Sequence, residues 1–225
     1  MAYGRSLAER VSAGDRWALL QLSGLSAVGF LAVYGIFVAT PPGQWVDVQV
    51  FGLAQKATEG PLTSWLPALG RRVLPPSLAA AGVLLSLVAL VQRRWREVGF
   101  SALTVSVSTA LAPVLRLRAL ERPDYGGWGY AHNTLPSTHM AAACSLLVAA
   151  VVLWTPPRSP WIFGTAFLLG VLAALGNVVG YAHLPSDVLA SVFVVGAVAT
   201  LAGAVCGLPR ARPEPRSRVT EGHQR

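Results

Sequence analysis

Residues 17–40 read WALLQLSGLSAVGFLAVYGIFVAT, and this stretch of 24 residues without a charged side chain decides the class of the protein. An α-helix rises about 1.5 Å per residue, so roughly 20 apolar residues cross the hydrocarbon core of a bilayer. A secretory signal is the alternative interpretation, but its apolar part covers only about 7–15 residues before a cleavage site. The length of the stretch, and the apolar stretches that follow it, predict a retained transmembrane helix.

Charge-free stretches of this kind recur along the chain. Of the 225 residues, 53% are hydrophobic and 12% are charged, which is about half the charged fraction of a soluble domain. We therefore expect an all-α polytopic membrane protein, with about six transmembrane helices in a bundle over residues 17–208. The predicted spans are residues 17–40, 73–92, 98–115, 137–155, 161–182 and 186–207.

The basic residues are distributed unevenly between the two sides of the predicted bundle. With the N-terminus inside, 12 of the 18 Lys and Arg residues fall on the cytoplasmic side, as the positive-inside rule favours. Both termini are then cytoplasmic, residues 1–16 as a short segment and residues 209–225 as a disordered basic tail. The net charge of +8 follows from this topology and from contact with anionic membrane lipids, so no nucleic acid partner is expected. The oligomeric state stays open.

The longest predicted connection, residues 41–72, is polar and apolar by turns. Val46, Val48 and Val50 alternate with polar residues, and further apolar side chains follow near Trp65. This pattern is typical of an interfacial segment on the outer face, although the sequence alone leaves that assignment open.

Three polar clusters interrupt the apolar chain, and the predicted topology places all of them on the outer side. They are residues 116–124 (RLRALERPD), 135–139 (LPSTH) and 177–187 (NVVGYAHLPSD). Each has a structural explanation when taken singly: arginines can snorkel, a serine can cap a helix, and an aspartate can complement a helix dipole. Ionisable groups at membrane depth are costly, however, and the clusters supply complementary chemical parts, so a functional site is favoured.

Those parts fit phosphoryl transfer. Arg116, Arg118 and Arg122 can offer bidentate forks to phosphate oxygens. The helix that begins at residues 137–139 presents free N–H groups, which favour an anion.

The histidines supply the remaining parts of such a reaction. His183 and Asp187 are four residues apart at a turn into a helix, so a carboxylate can orient an imidazole nucleophile there. His139 is a second imidazole, suited to protonating a leaving alkoxide.

On these residues the chain resembles the type 2 phosphatidic acid phosphatase superfamily, which includes bacterial lipid phosphatases. The signatures of that superfamily run Lys-x6-Arg-Pro, Pro-Ser-Gly-His and Ser-Arg-x5-His-x3-Asp. Arg122-Pro123 matches the end of the first, and residues 136–139 (PSTH) match the second with threonine in place of glycine. His183 and Asp187 match the third at the right spacing. The order of the signatures on six spans also fits, so the resemblance covers residues 17–208.

The resemblance implies a role for each matching residue. His183 is implied as the nucleophile that forms a phosphohistidine, Asp187 as its orienting partner and His139 as the general acid. The phosphate oxygens are implied to be held by Arg122, Ser137 and the backbone of Thr138. The superfamily needs no metal, so neither a metal nor another cofactor is expected.

The chain departs from the signatures at two positions. Leu115 stands where the superfamily has lysine, and Arg116 follows one position later as a candidate phosphate ligand. Asn177 stands where the superfamily has arginine; it remains a candidate because an amide can donate a hydrogen bond, but it carries no charge.

The sequence thus predicts a membrane phosphatase that hydrolyses a lipid phosphate or diphosphate through a phosphohistidine, with its site on the extracytoplasmic face. Phosphatidate, phosphatidylglycerophosphate and polyprenyl (di)phosphates are all compatible substrates. A non-catalytic phospholipid-binding or lipid-translocating membrane protein on the same scaffold is the alternative, and Leu115 and Asn177 favour it. A small-solute transporter fits less well, because transporter sites usually lie near mid-membrane on broken helices.

Overall fold

The computed structural model describes residues 13–60, 63–125, 133–154 and 160–208, and within these ranges it contains helices and no β-strand. The predicted all-α class is confirmed. Most of the predicted cytoplasmic segment 1–16, and the whole predicted tail 209–225, lie outside the described residues. The α-helices are α1 (Ala13–Val33), α2 (Pro41–Ala57), α3 (Leu66–Ala68), α4 (Leu74–Val91), α5 (Trp95–Val114), α6 (Thr138–Leu153), α7 (Pro160–Val179) and α8 (Pro185–Cys206).

Five helical stretches are long and apolar enough to cross a membrane: Ala13–Val38, Leu66–Val91, Trp95–Ala119, Pro160–Val179 and Pro185–Cys206. Helix α6 is also apolar, but it has 16 residues and therefore rises only about 24 Å. The structure thus agrees with a polytopic membrane protein, in which the fourth predicted span is shorter than the other five.

Three short π-helical segments extend the apolar helices: Tyr34–Val38, Leu69–Val73 and Leu115–Ala119. One of them changes the predicted start of the second span, which begins at Leu66 and not at residue 73. Prolines lack the N–H group that a helix interior uses. Here Pro75 and Pro76 fall in the first turn of α4, directly after the wider π-turn, so the helical path continues through them.

Helix α8 lies at the centre of the bundle and packs against α1, α5 and α6. Small residues allow close approach: a Cβ atom on Gly29 of α1 would lie 2.5 Å from the ring of Phe193. The Ser23 hydroxyl also donates to the Ala197 carbonyl at 2.9 Å. Packing of small residues and occasional interhelical hydrogen bonds are what hold helices together in lipid, where burial of apolar surface gives little driving force.

Helix α2 has an inverted amphipathic character. Its buried face carries Gln44, Asp47 and Gln55, whereas Trp45 and Leu53 are 50% and 66% exposed. The buried amides donate to backbone carbonyls at two helix ends and in the connection after Leu115–Ala119. Gln44 donates to the carbonyls of Val38 and Pro123 at 2.8 Å each, and Gln55 donates to that of Val178 at 2.7 Å. A helix with polar groups inside and apolar groups outside is suited to a membrane interface.

Candidate active site

The three polar clusters meet at one end of the bundle. The Ser137 N–H donates to the Asp187 carbonyl at 3.2 Å, which joins the start of α6 to the start of α8. The Ser191 hydroxyl donates to the carbonyls of both residues, at 3.0 Å to Ser137 and 2.8 Å to Asp187. Arg122, beyond the C-terminal end of α5, reaches the same place through the Asp187 side chain. The structure therefore brings together residues from all three clusters.

The Asp187 carboxylate is fully buried and is held by three donors. Its Oδ1 atom accepts from Arg122 Nη2 at 2.8 Å. Its Oδ2 atom accepts from the Thr134 hydroxyl at 2.5 Å and from the Leu184 N–H at 3.0 Å. The last bond satisfies a free N–H group at the N-terminus of α8, as the acidic residue of a capping box does. Asp187 is thus fixed in position from three sides.

His183 lies beside Asp187, as the spacing in the sequence predicts. The side chain is 4% exposed, and Nδ1 is 3.4 Å from Asp187 Oδ2, within ion-pair distance. The alignment does not make a hydrogen bond, and the buried Nδ1 atom has no other partner among the described residues. Catalytic hydrogen bonds are often long before substrate binds. The arrangement leaves the carboxylate able to orient the imidazole.

His139 occupies the second position of α6 and is partly buried. Its Nδ1 atom is buried and has no hydrogen-bond partner among the described residues. Arg71, His183 and Arg116 are all close enough to act on it electrostatically. His139 also lines a cavity of about 450 Å³, together with Ser64, Pro67, Ala68, Arg71, Arg72 and Gly180.

Three arginines at this end have buried guanidinium nitrogens without a hydrogen-bond partner in the described part of the chain. The atoms are Nε and Nη1 of Arg122, Nε of Arg116 and Nε of Arg71. Leaving a buried donor unpaired costs about 1–3 kcal/mol, and more when the group is charged. Such an arrangement favours an anion that accepts from these groups. Arg118, by contrast, is exposed.

The N-terminus of α6 has the form that the sequence predicts. Ser137 is its N-cap, and the hydroxyl, fully buried, accepts from the Met140 N–H at 3.2 Å. Thr138 is the first residue of α6 and is partly buried. The first N–H groups of a helix have no carbonyl partner within the helix, so this turn can donate to an anion. The Ser137 hydroxyl acts only as an acceptor in this cap, so its own O–H can still donate, as can the backbone N–H groups of the first turn.

The two positions that depart from the signatures have local roles. Leu115 packs against a buried apolar cluster that includes Val38 and Leu135. Asn177 is fully buried, and its amide nitrogen donates to the Ala173 carbonyl of its own helix at 2.8 Å. The Asn177 Oδ1 atom has no hydrogen-bond partner within the described residues.

Asp47, on α2, is a buried acidic residue that the sequence analysis did not single out. Its carboxylate accepts from the Ser186 N–H at 2.9 Å and also from the Ser186 hydroxyl, so it ties α2 to the start of α8. Burial raises the pKa of Asp47 to about 6, and the nearby Asp187 carboxylate adds to the rise. The hydrogen bonds from Ser186 and the charge of Arg122 oppose that rise in pKa.

Two further residues at this end, Thr134 and Arg71, were also missed. A signal existed for Arg71, because the pair Arg71-Arg72 directly precedes a charge-free span. Nothing in the sequence distinguishes Thr134 from other polar residues near the start of a helix. Among the described residues, no group of three or more His, Cys, Asp or Glu side chains is placed to hold a metal ion.

Comparison with known families gives one match. Residues 115–208 match the family model described as the PAP2 superfamily, which confirms the resemblance predicted from the signatures over this part of the chain; residues 17–114, to which the predicted resemblance also extended, lie outside the match. The matched segment runs from the π-helical segment after α5 to the end of α8, and so contains all three signatures. Members of this superfamily are generally phosphatases, which supports phosphatase-type activity at the level of the family. No curated protein and no solved structure gives a significant match to the chain.

Proposed function

We propose that this protein is a membrane phosphatase that hydrolyses a lipid phosphate or diphosphate through a phosphohistidine intermediate. One observation carries the proposal: within the described part of the chain, the buried Nδ1 atoms of His139 and His183 have no hydrogen-bond partner, and neither do buried nitrogens of the arginines beside them. A preorganised set of cationic donors without acceptors is what a transferring phosphoryl group requires. The match of residues 115–208 to the PAP2 superfamily supports the same reaction class.

In the proposed first step, Nε2 of His183 attacks phosphorus while Asp187, on the Nδ1 side, orients the ring and stabilises its positive charge. The N–P bond forms as the P–O bond to the lipid breaks, and His139 gives a proton to the departing alkoxide. In the second step water attacks the phosphohistidine and His139 takes the proton from that water. Inorganic phosphate leaves, and both histidines return to their starting states.

Arg122 has two tasks in this proposal. Its Nη2 atom donates to Asp187 at 2.8 Å, whereas Nε and Nη1 have no partner in the described ranges. One edge of the guanidinium thus positions the orienting carboxylate, and the rest can bind phosphate oxygens. Arg116 and the backbone N–H groups at Thr138 complete the phosphate site. Asn177 contributes polarity near this site but no charge.

The distribution of basic residues gives the proposed orientation in the membrane. Arg93, Arg94 and Arg96 lie at the other end of α5 from the site. By the positive-inside rule that end is cytoplasmic, so the site faces the extracytoplasmic side and both termini are cytoplasmic. A lipid substrate would keep its hydrophobic part in the bilayer while the head group reaches the polar end of the bundle.

Purified protein in detergent, assayed for phosphate release from a panel of lipid phosphates and diphosphates, tests the proposal. We expect release to continue in the presence of EDTA, together with an acid-labile phosphoenzyme that His183→Ala does not form. Inhibition by EDTA would contradict a metal-independent mechanism. Absence of release from every lipid would contradict the enzyme assignment itself.

A non-catalytic lipid-phosphate-binding or lipid-translocating protein is the second candidate. The observation that favours it is the loss of two basic signature positions, at Leu115 and Asn177. Tight binding of a lipid phosphate to the wild type, without any release of phosphate, would support this candidate over the enzyme.

A further inference from the structure

We propose that Arg71 supplies the phosphate-binding cation that the third signature lacks at Asn177, so that the second span completes the site. The inference rests on the proposed phosphatase function and identifies a further substrate-binding residue for it. Four features of the structure carry it: a close helix crossing, the position of Arg71 at that crossing, the state of Asn177, and the environment of the Arg71 side chain.

The π-helical segment Leu69–Val73 crosses α7 at very short distance. A Cβ atom on Gly70 would lie 2.8 Å from Gly176 Cα, and one on Gly176 would lie 2.6 Å from the Leu66 carbonyl oxygen. No other residue type fits at either position without moving a backbone. This crossing therefore fixes the residue after Gly70 against the C-terminal end of α7.

Arg71 is the residue that the crossing places there. A Cβ atom on Gly180, near the end of the same helix, would lie 3.5 Å from Arg71 Cδ. Asn177 directly follows Gly176 in the sequence. Arg71, on the neighbouring helix, thus lies beside the turn of α7 that carries Asn177, the position at which the signature has arginine.

The Asn177 side chain cannot supply the positive charge that the signature arginine would bring to a phosphate group. It is fully buried, and its amide nitrogen donates one N–H to the Ala173 carbonyl of its own helix at 2.8 Å. The side chain has no charge, so its second N–H can offer a phosphate oxygen only a neutral hydrogen bond, which is weaker than the charge-assisted bond of an arginine.

The Arg71 guanidinium group has the properties that Asn177 lacks. Its Nε atom is buried without a hydrogen-bond partner in the described part of the chain. Arg71 lines the 450 Å³ cavity that His139 also lines, and its charge acts on His139. With Arg71, Arg116 and Arg122 the site has three cations, as many as the basic positions of the signatures. Three positive charges suit a phosphate dianion and the charge that develops on its transfer.

Replacement of Arg71 by glutamine tests the inference, with inorganic phosphate as the probe of the anion site. A lost charge-assisted hydrogen bond corresponds to roughly a 10–150-fold effect. We expect a loss of that size in kcat/KM for the lipid phosphate, and a parallel rise in the inhibition constant of inorganic phosphate. Arg71→Lys should recover part of both, because it restores the charge but not the fork.

Lys56→Gln is the matched control. It also removes one positive charge at the site end of the bundle, from the exposed C-terminal turn of α2. We expect less than about a threefold change in either quantity, since an exposed charge is screened. Equal effects of Arg71→Gln and Lys56→Gln on phosphate inhibition would overturn the inference. If the wild type releases no phosphate from any lipid, direct binding of inorganic phosphate to the same variants decides the role of Arg71 separately from the proposed reaction.

Discussion

Two arginines near opposite ends of α5 differ in how their guanidinium groups are satisfied. Arg94, just before α5, donates from Nε to Glu97 at 3.2 Å and from Nη1 and Nη2 to the carbonyls of Leu153 and Val152 at 3.0 Å each. Arg122, beyond the other end, donates from Nη2 to Asp187. Its Nε and Nη1 atoms are buried and have no partner among the residues that the structure describes.

The difference gives Arg94 a structural role, whereas Arg122 still has donors with which it could bind a ligand. Arg94 satisfies carbonyls that the last turn of α6 leaves without intrahelical partners, and its charge suits the negative end of that helix dipole. The arrangement is complete without any further molecule. At the end of the bundle that carries Arg122, several charged donors have no hydrogen-bond partner among the described residues, which costs stability. A phosphate group would remove that cost, so we expect substitutions at the two ends to affect different measurements.

The largest effect is expected at His183. His183→Ala removes the nucleophile of the proposed reaction, so turnover of the lipid phosphate should fall to background. Asp187→Asn should leave residual activity, because it weakens the orientation of the imidazole without removing the attacking atom. Retention of more than a few per cent of the wild-type rate by His183→Ala would contradict the phosphohistidine mechanism at this end of the bundle.

Much of the fold follows from the distribution of charges along the sequence. Stretches such as residues 98–115 have no alternative to burial in lipid or protein, so their helical state is predictable from length alone. The π-helical segment Leu69–Val73 was not predictable, since it lies where Gly70 and Gly176 meet at a crossing and directly before Pro75. The start of the second span was misplaced for this reason.

The candidate site also combines residues that the sequence predicted with residues that it did not. His183 and Asp187 lie on one short segment, so their spacing already determines that they are neighbours. Asp47 and Thr134 reach Asp187 and its neighbour Ser186 by tertiary packing, which no local pattern encodes. For Arg71 the sequence holds one signal, the pair Arg71-Arg72 before a charge-free span, but not its position beside His139. No pattern in the sequence indicates the hydrogen bond from Arg122 to the carboxylate of Asp187.

The second largest effect is expected at His139 and depends on the substrate. General acid catalysis typically contributes about 10²–10⁴-fold. His139→Gln should approach that loss for a lipid phosphate, whose alkoxide leaves poorly without a proton. It should lose far less on p-nitrophenyl phosphate, whose phenolate leaves without help. Equal losses of kcat/KM on both substrates would instead assign His139 a structural role.

Smaller effects are expected at Arg122 and Arg94, and they should differ in which quantity changes, kcat/KM or the melting temperature. Arg122→Gln should lower kcat/KM by roughly 10–150-fold through lost charge-assisted bonds. It should also lower the melting temperature, because it leaves the buried Asp187 carboxylate without its ion pair. Arg94→Gln should lower the melting temperature while kcat/KM stays within about twofold, since surface and cap contacts affect stability alone.

Thermal unfolding in detergent and steady-state kinetics, measured on both variants, check this comparison. A loss of kcat/KM in Arg94→Gln as large as that in Arg122→Gln would remove the distinction between the two ends. An Arg122 variant that is destabilised yet fully active would place Arg122 in the structural class with Arg94.

Asp47 lies at the site end, and a small effect on turnover is expected there too, because among the described residues its carboxylate accepts hydrogen bonds from Ser186 of α8. Burial raises the pKa of Asp47 from 3.8 to about 6. The folded protein therefore binds the proton more tightly than the unfolded chain does, and the stability due to protonation is complete below about pH 4. That stability is lost as the pH rises through about 6, with an upper limit of about 3 kcal/mol.

Asp47→Asn removes the titrating group and keeps one acceptor for Ser186. The melting temperature of the wild type should thus fall between pH 5 and pH 7 by several degrees more than that of the variant, while kcat/KM at pH 7 changes by less than about threefold. Parallel melting curves across this range would show that Asp47 stays ionised, satisfied by Ser186 as completely as Arg94 is by its three acceptors.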